Sequence, residues 1–189
     1  PTPVDERAVR ATLEAGLLAS LRYRPENGLP LFAYRAVSPP VVDGQLDEWP
    51  GEPYAVTYLV YESIPGTWQG ANDLSGYVQM MWDESFLYLA VEVVDDVHAQ
   101  TQHGEVIFRG DEVEIQIDAD LQGDYGATEL SDDDGQVGLS PGDLASGDPE
   151  AYVWRPPSLE QPGTMIDLAA RKVPDGYHLE AAIPWWVLG

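Results

Sequence analysis

Apolar side chains recur at every second position over much of this chain, and that period leaves few folds open. Leu87, Leu89, Val91 and Val93 form one such row, Val113, Ile115 and Ile117 a second, and Tyr177, Leu179, Ala181 and Ile183 a third. A period of two puts each row on one face of a strand, whereas a helix needs apolar residues three and four apart. The segments Tyr54–Tyr61, Gly76–Trp82, Phe86–Val94, Asp111–Asp118, Met165–Val173 and Tyr177–Ile183 read as strands. Asp83-Glu84 and Pro174-Asp175-Gly176 are short and polar enough to close two hairpins. Rows apolar on one face and joined by tight turns predict an all-β fold, an antiparallel β-sandwich of the jelly-roll kind.

Ahead of Pro39-Pro40 the period changes. Val9, Leu13, Leu17 and Leu21 repeat every four residues, and Asp5 and Glu6 fall in the first turn, where a helix favours negative charge. An N-terminal α-helix is therefore expected from Val4 to about Tyr23, stopped by Pro25, Gly28 and Pro30. Its apolar stripe must cover the sandwich, a partner or a neighbouring domain. On this reading residues 1–38 are helix and linker, and residues 39–189 are the sandwich. The opening Pro1-Thr2-Pro3 resembles the tail of an extended linker, so a removed upstream signal or anchor is expected. Gln122 to Gly163, rich in Gly, Asp, Ser and Pro, is expected to form long loops around one or two short strands.

Charge narrows the partners. The formal net charge is −24, and it is unevenly spread: residues 1–38 carry 5 basic and 4 acidic side chains, residues 39–189 carry 4 and 29. A sandwich this acidic repels phosphate backbones, so no nucleic-acid partner is expected. The acid serves solubility, and it also offers hard oxygen ligands of the kind calcium takes. With no cysteine, disulfides, thiolate metal sites and cysteine nucleophiles are excluded. No apolar run reaches the roughly 18 residues that a membrane span needs.

Three blocks carry a family resemblance. They are Val41-Val42-Asp43-Gly44-Gln45-Leu46-Asp47-Glu48-Trp49, the run from Trp82-Asp83-Glu84 to Val93-Val94-Asp95, and Gly110-Asp111-Glu112-Val113-Glu114-Ile115-Gln116-Ile117-Asp118. In this order and at these spacings they resemble the opening strands of a family 9 carbohydrate-binding module, a β-sandwich related to DOMON domains. Gly176-Tyr177-His178-Leu179-Glu180-Ala181-Ala182-Ile183-Pro184-Trp185 matches a late strand of the same family. The family continues through further strands beyond this point, so the resemblance implies a C-terminally incomplete sandwich with an open sheet edge.

The resemblance also implies structural calcium. The matching region offers Glu48 and Asp43 near its start, Asp95 at a strand end and Asp111 at the next strand's start. A sugar site needs an aromatic platform beside fixed polar groups, because sugars present apolar faces and hydroxyl rims. The resemblance puts one platform at Phe108 and an acidic partner at Glu114. Period two independently turns Glu112, Glu114 and Gln116 away from Val113 and Ile115. Where the family can place a basic sugar-binding residue, this chain has Gly138, with Gln136 as the polar side chain nearby. A site lacking that residue reads as degraded. Trp68 and Trp154, read as loop tryptophans, are candidate replacement platforms, while Trp49, Trp82, Trp185 and Trp186 read as core or strand-end packing.

His98, His103 and His178 read as solvent-exposed, since no matched third ligand accompanies the loop pair. No nucleophile elbow, phosphate loop or Ser-His-Asp pattern can be placed, so no enzyme activity is expected. The expected function is non-catalytic binding of a polysaccharide or other glycan, in a larger extracellular or cell-surface protein stabilised by calcium. The alternative is a structural, adhesion or assembly module of the cell envelope. In that case the sugar site is lost, and a protein partner is met through the N-terminal helix or an open sheet edge.

Overall fold

The computed structural model describes residues 31–57, 65–119, 130–145 and 148–188. The expected helix from Val4 to Tyr23 lies outside the described residues. What is described is two β-sheets. The strands are β1 (Ala33–Arg35), β2 (Tyr54–Val56), β3 (Leu74–Trp82), β4 (Phe86–Asp95), β5 (Val113–Ile117), β6 (Gly135–Ser140), β7 (Glu150–Arg155), β8 (Gln161–Pro162), β9 (Asp167–Val173) and β10 (Gly176–Pro184). One helical turn, α1 (Trp185–Leu188), follows β10. The first sheet runs β1-β3-β4-β10-β9, with β2 also paired to β3, and the second runs β5-β6-β7-β8.

Each sequence row of apolar residues finds its place between the sheets. Leu87, Leu89, Val91 and Val93 of β4 and Tyr177, Leu179, Ala181 and Ile183 of β10 are buried with Val137, Leu139 and Val153 of the second sheet. Val113, Ile115 and Ile117 pack against the same cluster. Side chains such as Leu179 and Ile183 are fully buried, and each contributes roughly 1.5–3 kcal/mol of transfer free energy. The expected sandwich is therefore the observed one, and Gln122 to Gly163 holds three strands where one or two were expected: the six-residue β6 and β7 and the two-residue β8.

Both expected hairpins form. At the first, Trp82 pairs with Leu87, and Asp83 Oδ1 accepts hydrogen bonds from the amides of Ser85 and Phe86. Asp83 Oδ2 accepts from the Tyr88 hydroxyl at 2.7 Å, and that bond holds the carboxyl below the usual aspartate range. At the second, Gly176 has φ of 146°, and an added Cβ would stand 2.0 Å from the Val93 carbonyl oxygen. Only glycine fits a turn that brings β10 so close to the end of β4.

Three expectations need correction. The sheets are not wholly antiparallel: β1 runs parallel to β3, pairing Ala33 with Met80 and Arg35 with Trp82. Because β1 precedes Pro39-Pro40, the sandwich takes in residues ahead of that boundary. Second, rows apolar on one face leave the other to solvent, yet part of the first sheet's outer face is covered. Trp49, Met81, Tyr88, Ala90 and Ala182 form a second buried cluster there, with Tyr34, Val42 and Leu46 packed against it. Trp49 is core, as read. The segment 41–50 is fastened to this face by Glu180, fully buried on β10. Its carboxylate accepts from Trp49 Nε1 at 2.6 Å, Gly44 N at 2.7 Å and Asp43 N at 3.0 Å. Third, of the tryptophans read as core or strand-end packing, Trp185 and Trp186 are 36% and 54% exposed and lie outside the core, although Trp185 Nε1 donates to the Asp83 carbonyl at the end of the β3–β4 hairpin. The turn of α1 points Val187 and Leu188 inward and leaves the two indoles outward.

Candidate functional site

The second sheet presents a polar and aromatic outer face. Val113, Ile115, Val137, Leu139, Ala151 and Val153 pack inward. Alternation therefore turns Glu112, Glu114 and Gln116, then Gln136 and Gly138, then Tyr152 and Trp154 outward. The strand register aligns them: Glu114 sits opposite Gly138, Gly138 opposite Tyr152, and Gln116 opposite Gln136. Glu114 Oε1 accepts from the side-chain amides of Gln136 at 3.0 Å and Gln116 at 2.5 Å. A carboxylate held by two amides keeps a fixed direction, as a sugar hydroxyl partner requires.

Trp154 lies on strand β7, not on a loop as the sequence suggested. Its indole Nε1 donates to the Glu105 carbonyl at 3.0 Å, which fixes the ring. Phe108 comes from the 3-10 turn Gly104–Arg109 and meets Trp154 edge to face, with ring centroids 6.1 Å apart and planes at 72°. Tyr152 also packs on the indole, with ring centroids 5.5 Å apart and planes at 49°. Phe108 is 52% exposed. The Arg109 guanidinium sits 5.6 Å from the Phe108 ring.

Gly138 gains a different meaning from the one its sequence position suggested. A Cβ there would stand 2.4 Å from Glu112 Oε2 and 2.5 Å from Trp154 Cη2. The space of a side chain at 138 is thus filled by an aromatic ring and a carboxyl.

Glu112 is the electrostatically unusual member. Its Oε2 is buried without a hydrogen-bond partner. Burial, and behind it the charge of Glu114, pushes its carboxyl up to about 7. At neutral pH it is therefore partly protonated and can donate as well as accept. Glu112 and Glu114 also line a cleft of about 510 Å³ beside β5, the edge strand of its sheet among the described residues, together with Trp68, Val56, Leu74 and Tyr177 among others. Trp68 donates from Nε1 to the Leu74 carbonyl at 2.9 Å. Phe108, Glu114, Gln136 and Trp154 are thus brought together on the sheet face, and Trp68 stands at the edge of β5.

The four expected calcium ligands do not meet at one point: Asp95 and Asp111 come together, and Glu48 and Asp43 lie elsewhere. Glu48 accepts from Val41 N at 3.0 Å, and Asp43 accepts from Gln45 N and Gln45 Nε2, both at 2.9 Å. Both belong to the segment on the outer face of the first sheet. Asp95 and Asp111 meet instead at the rim between β4 and β5, and His98 joins them. This corrects the reading of His98 as solvent-exposed: its side chain is 16% exposed and meets the Tyr177 ring edge to face at 5.5 Å. His103 is exposed as read, paired with Glu150 at 2.6 Å.

At the rim, Asp95 Oδ2 lies 3.8 Å and Asp111 Oδ2 3.3 Å from His98 Nδ1. Burial raises the Asp95 carboxyl above its ordinary value. Calcium asks for about six to eight oxygen ligands. The rim offers two carboxylates and an imidazole nitrogen, so calcium does not fit this donor set. The signal for His98 was present in the sequence, three residues beyond Asp95 at a strand end, but only the approach of Asp111 gives it a third partner. Glu112 and Glu180 were likewise missed, since a buried carboxyl has no local signature.

Among the described residues no helix is long and apolar enough to cross a membrane. The family model described as "Carbohydrate family 9 binding domain-like" matches residues 42–188. Two similar solved structures are a family 9 carbohydrate binding module from Caldicellulosiruptor kristjanssonii in complex with cellotriose, and the same kind of module from that organism in complex with glucose. The first has a TM-score of 0.56 at 22% identity, covering 82% of this chain and 67% of that one. The second has a TM-score of 0.52 at 21% identity, covering 82% and 68%. No curated protein matches the chain significantly.

Proposed function

Because this chain belongs to the carbohydrate family 9 binding domain-like family, a family of non-catalytic carbohydrate-binding modules, we propose that its sugar site is the outer face of the β5–β8 sheet. Trp154 and Phe108 supply the platform, and Glu114, Gln136 and Glu112 supply the hydroxyl partners. One observation carries this reading: Trp154 lies against Gly138 on the same outward face as the amide-held carboxylate of Glu114. An apolar ring beside directed polar groups is what a pyranose needs. Trp68, at the edge of β5 and across Glu112 and Glu114, is the candidate second wall.

The similar structures hold cellotriose and glucose, so a β-linked glucan is the first ligand class to test. Polymers of that class are met outside cells, which supports reading the chain as a module of a larger extracellular or cell-surface protein. Titration calorimetry with cellotriose, preceded by a glycan array, tests the proposal. Binding that is weakened by Trp154→Ala in a folded protein supports it, and cellotriose affinity equal in wild type and Trp154→Ala removes this face from the site.

An assembly module is the second reading, favoured by its own observation. Among the described residues β9 pairs only with β10, and Trp185 and Trp186 are exposed. Self-association in sedimentation experiments, together with silence on the glycan array, would select it.

A further inference from the structure

We propose that Asp95, His98 and Asp111 bind a first-row transition-metal dication of the zinc kind, not calcium. The geometry of His98 comes first. Its Nε2 lies 2.8 Å from the Gly142 carbonyl oxygen. A carbonyl only accepts, so Nε2 carries a proton, and a metal-binding lone pair on this ring can only be that of Nδ1, which points the other way. That lone pair faces Asp111 Oδ2 at 3.3 Å and Asp95 Oδ2 at 3.8 Å. A carbonyl that orients the far nitrogen is the arrangement met behind metal-bound histidines.

The second observation is the state of Asp95. Its side chain is only 7% exposed, Oδ1 accepts from Val97 N at 3.0 Å, and among the described residues Oδ2 has no hydrogen-bond partner. His98 Nδ1 is buried and likewise without a partner. A lone pair and two carboxylate oxygens converging on one point repel one another, and a metal cation among them turns that repulsion into attraction. The three ligand atoms lie within 4.8 Å of one another. The two separations from Nδ1 bracket the ~3.4 Å expected between ligands of a tetrahedral zinc with bonds of about 2.0–2.1 Å.

The frame is rigid enough to hold such a site. Asp111 Oδ2 accepts from Ala99 N, and Asp111 N donates to Ala99 O at 3.3 Å. Gln100, 4% exposed, donates from Nε2 to the carbonyls of Ile107 at 3.1 Å and Asp111 at 2.9 Å. The loop carrying His98 is thus laced to the turn carrying Asp111. Asp111 is 26% exposed, so the site opens on that side, where water or a ligand can complete the coordination. Imidazole beside carboxylate selects zinc-like ions, whereas calcium prefers oxygen throughout.

The test uses the full chain freed of metal with a chelator. Zinc and calcium are each titrated by calorimetry and followed by melting temperature, in wild type and in His98→Gln, Asp95→Asn and His103→Gln. One equivalent of zinc is expected to bind and raise the melting temperature. Affinity should fall tenfold or more in His98→Gln and Asp95→Asn and stay unchanged in His103→Gln. X-ray absorption of the zinc-loaded wild type should show scattering from one imidazole, and this decides the matter even if a variant fails to fold. Calcium stabilising where zinc does not, an all-oxygen shell, zinc binding lost only in His103→Gln, or no response to either ion would each overturn the proposal.

Discussion

Gly138 and Trp154 interlock across neighbouring strands: a Cβ on Gly138 would come 2.5 Å from the indole Cη2. The contact makes one outward face of the second sheet aromatic without a loop to carry the ring. It also sets the indole beside Glu112, whose Oε2 fills the rest of the same space. Gly138→Ala should therefore push out the ring, the carboxyl or both. Overpacking of this kind costs about 1–3 kcal/mol. Urea denaturation should show that loss, and calorimetry with cellotriose should show weaker binding than wild type.

The platform itself is tested at its exposed member. Phe108→Ala removes a ring that is 52% exposed, so the fold should survive. An aromatic contact contributes about 1 kcal/mol beyond burial, so the dissociation constant should rise roughly fivefold. An unchanged constant would show that the sugar stands on Trp154 alone.

Glu112 predicts a pH dependence with a definite sign. A glutamate in the unfolded chain titrates near about 4.3, while burial in the fold raises this one to about 7. The folded state holds the proton more tightly, so the contribution of Glu112 to stability is full below about 4.3 and is lost as pH rises through about 7. The difference in melting temperature between wild type and Glu112→Gln should move in favour of the variant over that window. A constant difference would show that Glu112 titrates normally.

On the first sheet, Glu180→Ala would strand Trp49 Nε1 and the amides of Asp43 and Gly44, all now bonded to one carboxylate. An unsatisfied buried donor costs about 1–3 kcal/mol. The loss should be at least about 2 kcal/mol in urea denaturation, with a red shift of Trp49 fluorescence as the segment 41–50 loosens. Fluorescence unchanged at wild-type stability would mean that apolar packing alone holds the segment.

What the sequence determined by itself is what period and turn chemistry encode. The rows Leu87–Val93, Val113–Ile117 and Tyr177–Ile183 specified strands and their buried face, because side-chain direction along a strand depends only on the residues of that strand. The outward position of Glu114 followed from the same rule. The conformation of Trp154 was not legible, since Tyr152-Val153-Trp154 is a short run inside a loop-like stretch, and its pairing with β6 made it a strand. Tertiary structure alone decided which distant residues meet. Trp49 reaches Glu180, His98 reaches Asp111, and Trp154 covers Gly138. The reason is physical: such meetings are set by the register between strands and by loops docking onto sheet faces. No local pattern of polarity records either of these, because every carboxylate in an acidic chain looks alike until burial and neighbours distinguish it.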